Sequence, residues 1–163
     1  MNPQVAIVVG SRSDVEVMSR ASDLLGSLAV ASELRVISAH RAPALLGEYI
    51  RGAEGRGIRI FIAAAGLAAH LPGVIASQTP LPVIGVPMAG SALGSLDSLL
   101  SIVQMPRGVP VATVGVGNAE NAALLAVQIL ALADPAVRER LVAWRAAQTQ
   151  QVLDDPSNQN GPD

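Results

Sequence analysis

Between Ile60 and Leu96 the chain carries no Asp, Glu, Lys or Arg, and no other feature restricts its fold as strongly. So long an uncharged stretch raises the question of a membrane span. It is broken, however, by Pro72, Pro80, Pro82 and Pro87 and by Gly66, Gly73, Gly85, Gly90 and Gly94. No uninterrupted run of about 20 apolar residues survives that punctuation. The segment reads as the buried interior of an α/β domain, and membrane association is not expected.

The rest of the chain has the same character. Short apolar runs, Gln4–Val9, Glu33–Ile37, Ile58–Ala64, Pro82–Val86 and Val111–Val116, alternate with helical patterns. The runs are apolar nearly throughout, as expected of strands covered on both faces. Between the first two, Val17, Met18, Ala21, Leu24, Leu25 and Leu28 recur at helical spacing, with Asp14 as a plausible cap. Further helices are predicted from Pro43 to about Arg56 and over Leu71–Ser77, Leu96–Val103 and Ala119–Ala133. Strand then helix, five times over, implies a parallel sheet with right-handed crossovers. The expected fold class is α/β: a flavodoxin-like three-layer sandwich with a five-stranded parallel sheet and an extra C-terminal helix. A six-stranded Rossmann order is the second choice. At 163 residues the chain suits one domain, 1–153, with a turn-rich tail, 154–163, expected to be disordered.

Composition removes several function classes. There is no Cys, which excludes disulfides, thiolate catalysis and Cys-based zinc sites. The net charge is −2, all eleven basic residues are Arg, and Tyr49, Phe61 and Trp144 are the only aromatics. A nucleic-acid surface of basic and stacking side chains is therefore not expected. No secretory signal is visible, so a cytoplasmic location is the default. Charged residues make up only 15% of the chain, against about 25% in typical domains. That leaves little polar surface for a monomer, and some helices are expected to be buried against other subunits, with Val137, Leu141 and Trp144 at or near the contacts.

In such folds ligands bind at the carboxyl ends of the strands, and four segments of notable residues fall there. After the first strand come Gly10-Ser11-Arg12-Ser13-Asp14. Ser11, Ser13 and a helix amino terminus could receive an anion, and Asp14 could accept from a ribose hydroxyl. A Ser/Asp-capped helix start explains the same residues equally well. After the second strand come Ser38-Ala39-His40-Arg41-Ala42-Pro43, in which Arg41 can hold a phosphate or carboxylate bidentately and His40 can exchange protons near neutral pH. A loop histidine bonded to a backbone carbonyl is the alternative. After the third strand, Gly66 and its small neighbours permit close backbone approach to a ligand, and Ala69, His70 and Leu71 open a helix. For His70 alone the reading preferred is a capping or packing role. After the fourth come Gly85-Val86-Pro87-Met88 and then Asp97 to Gly108, where Asp97-Ser98 reads as a helix start. The two His are far apart in sequence and no carboxylate sits at a partner interval, so no metal site is expected.

Taken together, Gly10-Ser11-Arg12-Ser13-Asp14, Ser38-Ala39-His40-Arg41, Ala68-Ala69-His70-Leu71-Pro72-Gly73 and Asp97 through Gly108-Val109-Pro110 resemble one family closely and in order. They resemble the class I N5-carboxyaminoimidazole ribonucleotide mutases, the phosphoribosylaminoimidazole carboxylase catalytic subunit family. The resemblance runs from about Val5 to Val152. It implies a homo-octamer, an imidazole ribonucleotide substrate, and an isomerisation in purine biosynthesis without metal or organic cofactor. A carboxyl group would move from the exocyclic amine to ring carbon four. It further implies that His40 transfers the proton, that Ser11, Asp14 and Arg41 bind substrate with Ser13 and Ser38 nearby, and that Gly66, Ala69, His70 and Leu71 belong to the active-site loop. Leu67, Gly90 and Ser95 depart from the commoner family residues. Class II relatives, which take free carbon dioxide, usually carry Lys after the His and lack the Ala-Ala-His-Leu-Pro-Gly run, so Arg41 and Ala68–Gly73 favour the mutase. A flavin module is poorly served by three aromatics, and a phosphorelay receiver needs a Lys that this chain lacks.

Overall fold

The computed structural model describes residues 2–159. Five parallel strands, β1 (Val5–Val9), β2 (Ser32–Val36), β3 (Ile60–Ala65), β4 (Val83–Pro87) and β5 (Ala112–Thr113), form one sheet in the order β2-β1-β3-β4-β5. That is the flavodoxin-like order, so the first of the two expected topologies holds. The helices are α1 (Val15–Ser27), α2 (Pro43–Arg51), α3 (Leu71–Ala76), α4 (Leu96–Val103), α5 (Ala119–Ala131) and α6 (Pro135–Leu153), with a helical turn α7 (Pro156–Gln159). The tail expected to be disordered, 154–163, therefore includes one helical turn, and its last four residues, 160–163, lie outside the described residues.

Side chains on a strand alternate between faces, so an apolar run feeds two cores at once. Val5, Ile7 and Val9 join Ile60, Ile62 and Ala64 under α1, α5 and α6. Ala6 and Val8 join Phe61, Ala63 and Ala65 under α2, α3 and Ile102 of α4. At one position a helix presses closely on the sheet. A Cβ on Gly85 of β4 would collide with the side chain of Ile102 in α4, so only glycine fits there.

Three expectations need correction. β2 is not covered on both faces: it is the sheet edge, with Ser32, Glu33 and Leu34 half-buried and Arg35 and Val36 exposed. β5 is two residues long rather than six, because Pro110 offers no N–H and the chain turns away at Gly115 and Gly117. α2 stops at Arg51, since Gly52, Gly55 and Gly57 follow in quick succession, and a separate 3-10 turn spans Glu54–Arg56. Val137 and Leu141 are buried within their own chain, with Trp144 packed beside them. Val137 and Leu141 are thus core residues of their own chain. α6 is anchored there by Asp134, whose carboxylate caps Ala136 and Val137, and by Arg140, which donates to the Leu28 carbonyl at 2.7 Å.

Candidate active site

The sheet order sets the loops after β2, β1, β3 and β4 side by side at the carboxyl edge. They enclose an open cavity of about 440 Å³. Ser11, Ser13 and Asp14 reach it from β1, Ser38, His40 and Arg41 from β2, and Gly66, His70 and Leu71 from β3. Nine of the ten residues singled out in the sequence therefore meet. The exception is Ala69, which is buried against the sheet beneath the cavity and does not line it.

His40 and His70, thirty positions apart, are bonded through their rings. His40 Nε2 lies 2.8 Å from His70 Nδ1, with the rings nearly perpendicular. One of the two facing nitrogens must donate and the other accept, so the contact holds one proton between the rings. Their remaining nitrogens are left to meet a ligand, and both side chains are exposed. α3 begins at Leu71 with Pro72 in its first turn, which places His70 at the cap position and turns its ring toward β2.

Arg41 bridges two loops. Its Nη2 donates to the Gly10 carbonyl at 2.9 Å, and its backbone N–H donates to Ser38 Oγ at 3.2 Å. A guanidinium has five N–H donors, and this anchoring uses one while fixing the plane of the fork. Beside it, Ser11 Oγ accepts from the Ser13 backbone N–H and caps the 3-10 turn Arg12–Asp14. The Ser13 hydroxyl stands within reach of both Ser11 Oγ (3.0 Å) and Asp14 Oδ1 (3.1 Å), with one proton to give. Asp14 occupies the cap position of α1 but makes no side-chain cap bond, contrary to expectation. Its carboxylate turns into the cavity instead. Partial burial raises its pKa above the usual value, and the bond from Ser13 opposes that only in part.

The fourth wall was recognised in the sequence only as far as Met88; Ala89 and Gly90 were not singled out as site residues. Met88, Ala89 and Gly90 line the cavity beyond β4. The signal available was the end of a fully apolar strand at Pro87 followed by Gly90, whose φ of +111° demands glycine. On the β3 side Leu67 holds φ +55°, which costs a side chain about 1 kcal/mol, and it projects from the rim. Among the described residues no three His, Asp or Glu side chains cluster closely enough to hold a metal ion. No described helix is long and apolar enough to cross a membrane.

Comparison with known proteins gives the same picture over nearly the whole chain. The crystal structure of Treponema denticola PurE superposes with a TM-score of 0.87 at 24% identity, covering 95% of this chain and 97% of that one, and so supports the fold. The N5-carboxyaminoimidazole ribonucleotide mutase of Brucella melitensis is 52% identical over 161 residues, 98% of this chain and 99% of its own. That of Pyrococcus abyssi is 57% identical over 143 residues, 88% of this chain and 82% of its own. The AIR carboxylase family profile matches residues 4–151, and the chain belongs to that family.

Proposed function

We propose that this chain is the mutase of purine biosynthesis that converts N5-carboxyaminoimidazole ribonucleotide to 4-carboxy-5-aminoimidazole ribonucleotide. The observation that carries the reading is the His40–His70 pair at 2.8 Å, set in one cavity with Arg41 and Asp14. In the first half-reaction the carbamate N–C bond breaks, carbon dioxide leaves, and the exocyclic nitrogen takes up a proton. In the second, ring carbon four bonds to the retained carbon dioxide and gives up its proton. One proton is gained and one lost, so a single group alternating between acid and base serves both halves.

His40 is that group, and His70 orients its ring and keeps a proton in line. Arg41, Ser11 and Ser13 receive the ribose phosphate, while Asp14 accepts from the sugar hydroxyls and Ser38 fixes the Arg41 backbone. Gly66, Leu71 and the alanines beside them form a small apolar floor in which carbon dioxide is kept from water. The donor set here requires no metal ion and no organic cofactor for this chemistry.

His40→Asn keeps size and polarity but removes the titrating ring. Turnover should fall by about 100-fold or more while nucleotide binding persists. An ultraviolet assay supplied separately with the carbamate substrate, and with the decarboxylated amine plus bicarbonate, checks both role and reaction. Near-normal turnover in His40→Asn, with loss in His70→Asn, would move the proton transfer to His70. Activity only with the amine and bicarbonate would make the enzyme a direct carboxylase.

The proposal includes a cytoplasmic location, with the ribonucleotide substrate, and a closed homo-octamer. Leu93, Leu96, Leu100 and Val103 recur at helical spacing and are 70%, 55%, 45% and 48% exposed, an apolar stripe that a second copy would cover. Light scattering should return a mass of eight chains, and a stable monomer at micromolar concentration would refute the assembly.

A further inference from the structure

We infer that Asp97 is a positioning residue that acts through Ser91 to hold the fourth wall of the cavity in its binding-competent shape. The inference rests on the reading of that cavity as the substrate site.

The wall is a loop that would not hold this shape unaided. Gly90, Gly94 and Ser95 all lie in the left-handed region, at φ +111°, +63° and +69°. Ser95 carries a side chain there, and such a strained conformation persists only where the surroundings over-determine it. They do so through two side chains of α4. Asp97 Oδ1 accepts the Ser91 hydroxyl at 2.6 Å. With its proton so committed, Ser91 Oγ accepts from the backbone N–H groups of Leu93 (3.2 Å) and Ser95 (3.0 Å) and closes the loop on itself. Ser98, fully buried, donates to the Met88 carbonyl at 3.0 Å or to the Ser95 carbonyl at 2.9 Å. Met88 begins the stretch that lines the cavity and Ser95 ends the loop.

The sheet order places this wall at the far end of the lining loops from His40, next to the His70 loop. The wall supplies neither ring of the pair, whose bond is between the two histidines themselves, so its displacement changes the width of the cavity and leaves that bond in place. Loss of the Asp97–Ser91 bond should weaken substrate binding and spare the chemical step. A carboxylate in the first turn of α4 also favours the helix dipole. That simpler role predicts a different pattern among variants, because it needs the charge and not Ser91.

The test is steady-state kinetics with the carbamate substrate on the wild-type chain, Asp97→Ala, Ser91→Ala, the double variant and Asp97→Asn. Thermal midpoints are measured beside the kinetics. Both alanine variants should raise KM by about 10-fold, the scale of one hydrogen bond to a charged group, with kcat within about twofold. The double variant should be no worse than Ser91→Ala, since that change already removes the Asp97 bond along with the two that Ser91 Oγ accepts. Asp97→Asn still offers an oxygen to Ser91 and should return KM to within about threefold of wild type. Additive effects, an unchanged KM, or losses in kcat alone would overturn the latch. So would thermal midpoints lowered in Asp97→Asn as much as in Asp97→Ala with KM unmoved. A wild-type chain without turnover would instead remove the reading of the cavity, and this inference with it.

Discussion

β1 and β2 lie side by side in register, yet they are built in opposite ways. Val5 to Val9 are all fully buried, pair on both sides and carry no polar group. Ser32 to Val36 pair on one side only, and the strand keeps Glu33 and Arg35 in an ion pair at 3.4 Å. Glu33 also accepts from the Tyr49 hydroxyl at 2.7 Å and from Arg56 at 3.3 Å, and the Arg56 guanidinium lies over the Tyr49 ring. A central strand is held by apolar burial, while the edge is held by a polar clasp against α2. Each nonetheless ends in a loop that supplies site residues, so precise loop placement does not require a dry strand. It requires only that the strand cannot slip.

The largest effect should come from disturbing the central strand. Ile7→Ala removes a fully buried side chain from between two layers and should cost about 2–5 kcal/mol, read as a fall in the urea midpoint at unchanged slope. A cost under about 1 kcal/mol would mean that β1 repacks freely and the contrast is false. Val9→Thr is gentler: the volume is nearly kept, but a hydroxyl enters an apolar layer, which should cost about 1–3 kcal/mol.

pH sharpens the comparison, because the carboxylates attached to the two strands are shifted in opposite directions. Burial works to raise Glu33, but the Tyr49 hydrogen bond and the Arg56 charge outweigh it and hold the carboxyl below its ordinary 4.5. A depressed carboxyl lends stability that is fully present above the unfolded value and is lost as pH falls through the folded one. Asp14, on the loop after β1, is raised above its ordinary 3.8 by burial. Its ionised form therefore costs stability near neutrality, and the cost disappears as pH falls through the raised value. Relative to wild type, Glu33→Gln should be less stable at pH 7 and converge below about pH 4.5. Asp14→Asn should be more stable at pH 7 and lose that advantage on acidification. Denaturant titrations from pH 7 to pH 3 that gave both variants slopes of the same sign would break the pairing.

Legibility followed the same divide. The central strands were readable because a run such as Val5-Ala6-Ile7-Val8-Val9 has only one comfortable home, between two helical layers. The edges were misread for the corresponding reason. Val36 and Ile37 made β2 look central, but Glu33 and Arg35 already signalled an edge. The residues of the loops after β1 and β2 were visible because His, Arg, Ser and Asp clustered at strand ends. Of the fourth wall Met88 was visible at a strand end, but Ala89 and Gly90 were not, because they offer backbone and small side chains, and the restraints on their loop come from Ser91 and Asp97 across a turn. The His40–His70 bond was equally hidden, since only the β2-β1-β3 order brings those two loops together. A sequence shows which chemistry is available; the sheet order decides what meets.

The smallest effect should come from the opposite end of a rung already used. Val36 is the β2 partner of Val9 in the register, but it is 42% exposed where Val9 is fully buried. Thr at position 36 keeps the branched β-carbon that suits a strand and lets its hydroxyl meet water rather than an apolar layer. Val36→Thr should therefore change stability by no more than about 0.5 kcal/mol, against the 1–3 kcal/mol expected for the same substitution at Val9. Equal costs at the two positions would mean that another chain covers the β2 edge in solution. In that case, dilution of the wild-type assembly should lower its thermal midpoint, because subunit association would then contribute to the stability of that edge.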